Sequence, residues 1–389
     1  MNIAELTAFH VRIPLRKPIR HALHSRTSTD NVLVRCILED GTEGFGEGVP
    51  RDYVTGETID SALHLLRTTD LAGQFEPCRD FGQAVTMAER LQLNSVPGDE
   101  RGCQGNAARC ALELALLDAY GRFFGEPLST ITRLTAGELY EPRTAVQYSG
   151  AITSANGFKV RLAAWRMRVF RFRHVKVKVG MDGHNDVARL AIIRSRLGAK
   201  RDIRVDANEA WRPGQVVERI RELQPFQISA VEQPVAHEQV AVLREVRQQI
   251  AVPIMLDESL CSRQDGDRAI AGGICDLFNI RLSKCGGYIP SLRLAQLAKR
   301  HGLAYQLGCQ VGETAILSAA GRHFAASVAE NRYVEGSYDR YLVQAALGTQ
   351  DITFRWGGWA KALPGPGLGI RLDPEALRRV VIRKEPLLG

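Results

Sequence analysis

His174-Val-Lys-Val-Lys-Val-Gly180 is an alternating run of valines and lysines that stops at a glycine. Val205-Asp-Ala-Asn208, Val231-Glu-Gln-Pro234, Met255-Leu-Asp-Glu-Ser259 and Leu282-Ser-Lys-Cys-Gly-Gly287 follow, each a short apolar run ending in charge and then loop residues. Parallel strands that carry chemistry at their C-terminal ends read this way. From Lys178 the charged positions Asp206, Glu232, Asp257 and Lys284 come at steps of 28, 26, 25 and 27 residues. One strand, loop and helix together take roughly 30 residues. The spacing therefore predicts consecutive βα units and the top face of a (β/α)₈ barrel, where active sites of that fold lie.

Eight strands are predicted: 144–149, 174–179, 203–206, 229–232, 254–257, 277–283, 305–308 and 333–335, with helical segments between them. Upstream, residues 3–15 and 30–47 read as antiparallel strands, with a turn signal at Asp40-Gly41. The polar stretch 16–30, which holds His24 and Arg26, and the segment 46–56, which holds Arg51 and Tyr53, are expected to be flexible lids. Residues 57–124 have helical periodicity, strongest over 106–120, with Gly121 expected just beyond the helix. Strands followed by helices without alternation indicate an α+β domain. The tail from Trp356, with Pro364-Gly-Pro-Gly-Leu-Gly369, reads as an extension folding back over that domain.

At 389 residues the chain suits a barrel plus something smaller. No apolar run approaches the roughly 18 residues of a membrane span, and the N-terminus lacks a signal-peptide core. The eight cysteines include no Cys-x-x-Cys pair, so they read as buried reduced thiols in a cytoplasmic protein. A formal charge of +8 invites a nucleic-acid reading, but the 51 basic residues are dispersed among 43 acidic ones and no recognition motif appears. The basic stretch Arg161–Arg173 reads as a helix with a solvated face. Neither nucleic acid nor membrane is expected as a partner.

Asp206, Glu232 and Asp257 close three successive strands, and neighbouring strands lie about 4.8 Å apart. Three uncompensated carboxylates converging there would repel one another, which a hard divalent cation resolves; all-oxygen ligation favours Mg²⁺ (or Mn²⁺) over zinc. Lys176 and Lys178 are two apart on a strand and share a face. If that face is the barrel interior, burial and like charge lower a lysine pKa and make it a general base. Lys284 ends the sixth strand, opposite the second in a ring of eight. A carboxylate substrate held between the two would lose a proton from one face and regain it on the other, with the cation stabilising the enediolate charge.

Val-Lys-Val-Lys-Val-Gly180, Val-Asp-Ala-Asn-Glu-Ala-Trp211, Val-Glu-Gln-Pro234, Leu-Asp-Glu-Ser259 and Lys-Cys-Gly-Gly287 together resemble the motif set of the enolase superfamily, muconate-lactonizing-enzyme subgroup. The resemblance covers nearly the whole chain, including Asn106–Gly121 and the Pro-Gly-Leu-Gly of the tail. It implies an α/β fold: a modified TIM barrel, (β/α)₇β, over residues 129–355, an α+β capping domain over 1–128, and a C-terminal segment, 356–389, returning to that domain. A lysine base with Mg²⁺ on an enediolate is an established pattern of such sites. By resemblance Asp206, Glu232 and Asp257 are the metal ligands, Lys178 and Lys284 the acid/base pair, and Lys176 an electrostatic helper. Asn208 would brace the ligands and Glu258 would sit near Lys284. The subgroup with a His–Asp dyad is disfavoured, because Tyr-Gln-Leu-Gly-Cys-Gln310 ends without histidine.

Substrate contacts are expected from Arg51, Tyr53, Gln310, Glu313, Glu335 and Asp339. Related dipeptide epimerases carry Asp-x-Asp at the eighth strand, and Val334-Glu-Gly-Ser-Tyr-Asp-Arg340 lacks it. Three readings stand. The first is a metal-dependent isomerase acting α to a carboxylate, either muconate-cycloisomerase-like or a racemase/epimerase of N-acyl amino acids or dipeptides. The second is a lyase or dehydratase such as o-succinylbenzoate synthase, and the third a non-enzymatic basic binding protein. Barrels of this kind often form homo-oligomers.

Overall fold

The computed structural model describes residues 1–20, 25–153 and 157–389. Three antiparallel strands open the chain: β1 (Ile3–Arg20), β2 (Ser25–Leu38) and β3 (Glu43–Gly48). β1 and β2 pair from Ile3↔Leu38 to Arg20↔Ser25, with an irregularity between Pro14 and Ile19. Much of 16–30, expected as irregular loop, is thus the outer part of a long hairpin. Ladder hydrogen bonds are made by the backbone, so a polar stretch beyond the core can stay paired. His24 lies outside the described residues. The second expected lid is not a free loop either: its first residues finish β3, and Asp52–Thr55 form a helical turn ended by Gly56.

The glycines alternating along β3 explain how the sheet meets its helix. A Cβ on Gly44, Gly46 or Gly48 would lie 2.1, 1.9 or 1.9 Å from the backbone of Ala119, Ala111 or Ala107. These alanines stand on one ridge of the helix Asn106–Phe124, most of which is buried. With small residues on both sides, strand backbone lies directly on helix backbone. The helix stops at Gly125, in the left-handed conformation, and not at Gly121. Gly121 is interior, and its bare Cα is where Gly367 of the tail packs.

β4 (Ala145–Gln147) pairs antiparallel with Trp359–Lys361. The first barrel strand is therefore not 144–149 but β5 (Gly150–Ile152), too short for periodicity to reveal. The others are β6 (His174–Lys178), β7 (Asp202–Asp206), β8 (Ile228–Glu232), β9 (Ile254–Leu256), β10 (Leu277–Ile280), β11 (Ala304–Leu307) and β12 (Asn331–Val334). They form one 8-stranded sheet in sequence order, with a helix between each consecutive pair: (β/α)₇β. The Ser149 N–H donates to Val334 O at 2.8 Å and joins the two ends into a ring. β13 (Trp359–Lys361) follows, and β14 (Val381–Leu388) pairs with β1 as the outer strand of the capping sheet.

Inside the ring Ala230, Met255, Leu277 and Tyr333 form an apolar cluster. One inward position further along their strands come Glu232, Asp257, Asn279 and Glu335, all buried. Among the described residues no helix is long and apolar enough to cross a membrane. No cysteine among them is in a disulfide; Cys309 is half-buried and the rest are buried.

Candidate active site

The strand ends gather the charged residues quoted above into one buried network. Lys176 Nζ reaches Asp206 Oδ2 (3.3 Å), Glu232 Oε1 (3.2 Å) and Glu335 Oε2 (3.0 Å). Arg281 bonds Asp257 and lies 3.8 Å from Glu232. Lys284 Nζ donates to Asp257 Oδ1 (2.9 Å), Asp257 O (2.6 Å) and Asn279 O (3.0 Å), and Asn279 Nδ2 donates to Glu232 Oε1 (2.7 Å). Lys178 ends β6 in register with Asp206. β6 and β10 are separated by β7, β8 and β9 on one side and by β11, β12 and β5 on the other. Lys178 and Lys284 thus rise from opposite walls.

The lysines differ in electrostatics as well as position. Burial lowers the pKa of Lys178, Asp206 nearby opposing it, and burial also lowers that of Lys284. Burial works against the Lys176 ammonium too, but Glu232, Glu335 and Asp206 outweigh it and raise that pKa. Lys176 is a fixed cation; Lys178 and Lys284 are the two with weakened hold on a proton.

Among the described residues no three acidic, histidine or cysteine side chains gather as a metal-holding group. Asp206 and Glu232 instead share Lys176, while Asp257 takes Arg281 and Lys284. Buried carboxylates require such compensation. Their donor chemistry, three buried carboxylates from adjacent strands with no sulfur or imidazole, fits a hard dication.

The loops that follow are strained where they turn. Asn208, Glu209 and Gln233 adopt positive φ (43°, 66° and 37°) directly after two of the carboxylates, and side-chain-bearing residues hold such conformations where surrounding structure enforces them. Gln233 Oε1 accepts from Asp257 N (2.9 Å) and Ser259 N (3.2 Å), fixing the turn beyond β9. Asn208 Nδ2 donates to Glu258 Oε1 (3.3 Å), whose Oε2 is buried without a hydrogen-bond partner. Burial, then the charge of Asp206, pushes the Glu258 carboxyl up to about 8.

The expected substrate contacts divide. Glu335 faces the site but is held by Lys176 and by Arg204; against burial, these cations bring its pKa down to about 2. Asp339 is buried, with Oδ1 accepting from Ser318 Oγ (3.2 Å). Arg51 donates to Thr29 Oγ1 (2.8 Å), Val311 O (2.7 Å) and Pro50 O (2.7 Å), so its guanidinium ties the cap to the loop after β11. Asn31 and Glu47 hold the same loop: Asn31 Nδ2 donates to Gly312 O (2.9 Å), and Glu47 accepts from Thr314 and Leu317 at the start of the helix Ala315–Ser327. In that loop Gln310 N donates to Glu313 Oε1 (2.7 Å), and burial raises the Glu313 pKa to about 8. Tyr53 is half-buried, with the Arg26 guanidinium 5.3 Å above its ring.

Arg204, Asn279 and Arg281 were not singled out in the sequence, yet they complete the network. The signal was there: Arg204 stands two residues before Asp206, and Asn279 and Arg281 are two apart, the alternation that puts Lys176 and Lys178 on one face.

A two-domain molecule with a lysine-and-carboxylate ring of this order belongs to a recognisable class of barrel enzymes. Residues 159–376 match the family model described as enolase C-terminal domain-like, and residues 3–132 the mandelate racemase / muconate lactonizing enzyme N-terminal domain. The chain is a member of the enolase superfamily. It is 31% identical over 338 residues to a hydrophobic dipeptide epimerase of Enterococcus faecalis, covering 84% of this chain and 88% of the relative. A crystal structure of a dipeptide epimerase from that organism, complexed with Mg and L-Leu-L-Tyr, superposes with a TM-score of 0.81 at 27% identity, over 95% and 99% of the two chains. The N-succinyl-L-Arg/Lys racemase of Bacillus cereus is 29% identical over 98% of both chains. The muconate lactonizing enzyme of Pseudomonas fluorescens, complexed with muconolactone, superposes with a TM-score of 0.84 at 26% identity, over 97% and 99%.

Proposed function

We propose that this chain is a racemase or epimerase acting at the α-carbon of an N-acylated amino acid by two-lysine proton transfer. The observation that carries the reading is the placement of Lys178 and Lys284 on opposing walls, each with its ammonium form disfavoured by burial. Asp206, Glu232 and Asp257 would hold Mg²⁺ (or Mn²⁺), which when bound supplies Lewis-acid stabilisation of negative charge on the substrate carboxylate. Lys178 removes the α-proton from one face and Lys284 returns a proton to the other, with roles exchanged in the reverse direction. Lys176 stays charged throughout and balances the carboxylates. The epimerase and racemase names of the relatives support isomerisation. Glu335 is engaged by Lys176 and Arg204, and Asp339 by Ser318. That supports a substrate without a second, charged amine over a free dipeptide.

In D₂O with Mg²⁺, an N-acyl amino acid should exchange its α-hydrogen and racemise. Lys178→Ala and Lys284→Ala should each abolish interconversion while calorimetric Mg²⁺ binding persists, and Asp206→Asn should weaken that binding. Racemisation surviving in Lys178→Ala would defeat the assignment. A product lighter by one water would move the chain to the dehydratase class.

A further inference from the structure

We infer that Asn106, on the capping domain, is the residue that positions Lys284 for proton transfer; this rests on the two-lysine reading above. Lys284 is not on a strand. β10 ends at Ile280, and Lys284 lies in the following turn, closed by Cys285 N to Arg281 O (2.9 Å) and Gly287 N to Leu282 O (2.8 Å). Those bonds leave the Lys284 carbonyl to another donor, and a buried carbonyl requires one. The Asn106 side-chain amide supplies it, donating to Lys284 O (2.7 Å) and also to Cys261 O (2.7 Å). Cys261 belongs to the turn that begins at Asp257, and Asp257 in turn accepts from the Lys284 ammonium. One amide group therefore references both the backbone and the ammonium of Lys284 to a common frame.

Further residues of the same helix continue the grip. Arg109 Nη1 donates to Gly286 O (2.7 Å), and Glu113 accepts from the backbone of Tyr288 and of Ile289. A Cβ on Gly287 would stand 2.2 Å from Glu113 Oε2, so the second glycine of Lys-Cys-Gly-Gly287 is where the helix comes closest. Asn106 is the member of this ladder that touches Lys284 itself. Among the described residues Lys178 is held by other partners, none of them on the capping helix: Val179 N donates to Asp206 O (2.9 Å) along the barrel ladder, and Arg189 Nη1 donates to Lys178 O (2.9 Å). Loss of Asn106 should let one lysine drift and leave the other in place, and a misplacement of about 1 Å costs on the order of a hundredfold in rate.

The test uses the full-length, Mg²⁺-supplemented protein and its Asn106→Ala and Asn106→Asp variants. Each enantiomer of an N-acyl amino acid is followed for α-hydrogen exchange in D₂O, the face served by each lysine being set by Lys178→Ala and Lys284→Ala. Exchange through Lys284 should slow about ten- to a hundredfold, with exchange through Lys178 within about twofold of wild type. Equal slowing on both faces, or none, overturns the inference. A second measurement needs no substrate: backbone amide exchange by mass spectrometry should accelerate over 257–262 and 281–288 in Asn106→Ala and stay unchanged over 174–180. Unchanged exchange over 281–288 also overturns it. Wild-type protein inert toward every N-acyl substrate would count against the two-lysine reading alone, with amide exchange still deciding the role of Asn106.

Discussion

Arg204 has no exposed surface, and its guanidinium sits 3.2 Å from Ser149 Oγ, bonds Glu335 and lies 4.4 Å above the Tyr333 ring. The charge is there for Glu335 more than for packing. Removing the cation alone leaves a buried carboxylate with only part of its compensation, so Arg204→Met should destabilise the fold by about 3–5 kcal/mol. Adding Glu335→Gln removes the stranded charge and should recover much of that loss. Urea denaturation of the two single variants, the double variant and the parent measures the coupling directly. A double variant no more stable than Arg204→Met would show that the pair does not act as a unit.

At the scale of elements, the contact of β3 with the helix Asn106–Phe124 sets how the cap is built. A methyl on Gly46 would meet the Ala111 carbonyl at 1.9 Å, and helix backbone cannot yield as a side chain does. Gly46→Ala should therefore cost at least the 1–3 kcal/mol, roughly, of an overpacked core. Gly137→Ala is the control, since no atom lies within 4 Å of the added Cβ. Equal denaturation midpoints for the two would mean the strand and helix are less closely apposed than described. The same helix carries Asn106, Arg109 and Glu113 on the face toward the turn after β10, so a shifted helix would be felt at Lys284 as well as in stability.

Across the whole molecule, the helix Ala315–Ser327 joins barrel to tail through His323, whose Nε2–H donates to Leu368 O at 3.1 Å. Burial holds this imidazole neutral, its pKa down at about 4. The unfolded chain binds the proton near 6.5, so it carries more protons than the folded chain between those values. This contribution to stability is complete above pH 6.5 and is lost as pH falls towards 4, amounting to about 3 kcal/mol. His323→Gln should flatten that part of the stability–pH curve, as read by denaturant titration at pH 7.0 and pH 4.5. An unchanged slope would place the acid sensitivity elsewhere.

Local patterning was enough to place the barrel strands from β6 to β12 within a few residues, because they are short runs spaced by helices and all but β11 are closed by a charged residue. The same patterning named Lys176, Lys178, Asp206, Glu232, Asp257 and Lys284. It did not find β5, whose three residues carry no period and, unlike those of β9, are followed by no charged side chain, nor the outer hairpin, whose pairing is made by backbone. Alternation puts Arg204 on the face of Asp206 and makes Asn279 and Arg281 share one, but only the closed ring shows that all three reach the carboxylates. Which cation serves which carboxylate, and the grip of Asn106 on a turn 178 residues away, were decided by tertiary structure alone. Charges and carbonyls taken out of water bond to whatever the fold brings nearest, and chain order does not record that proximity.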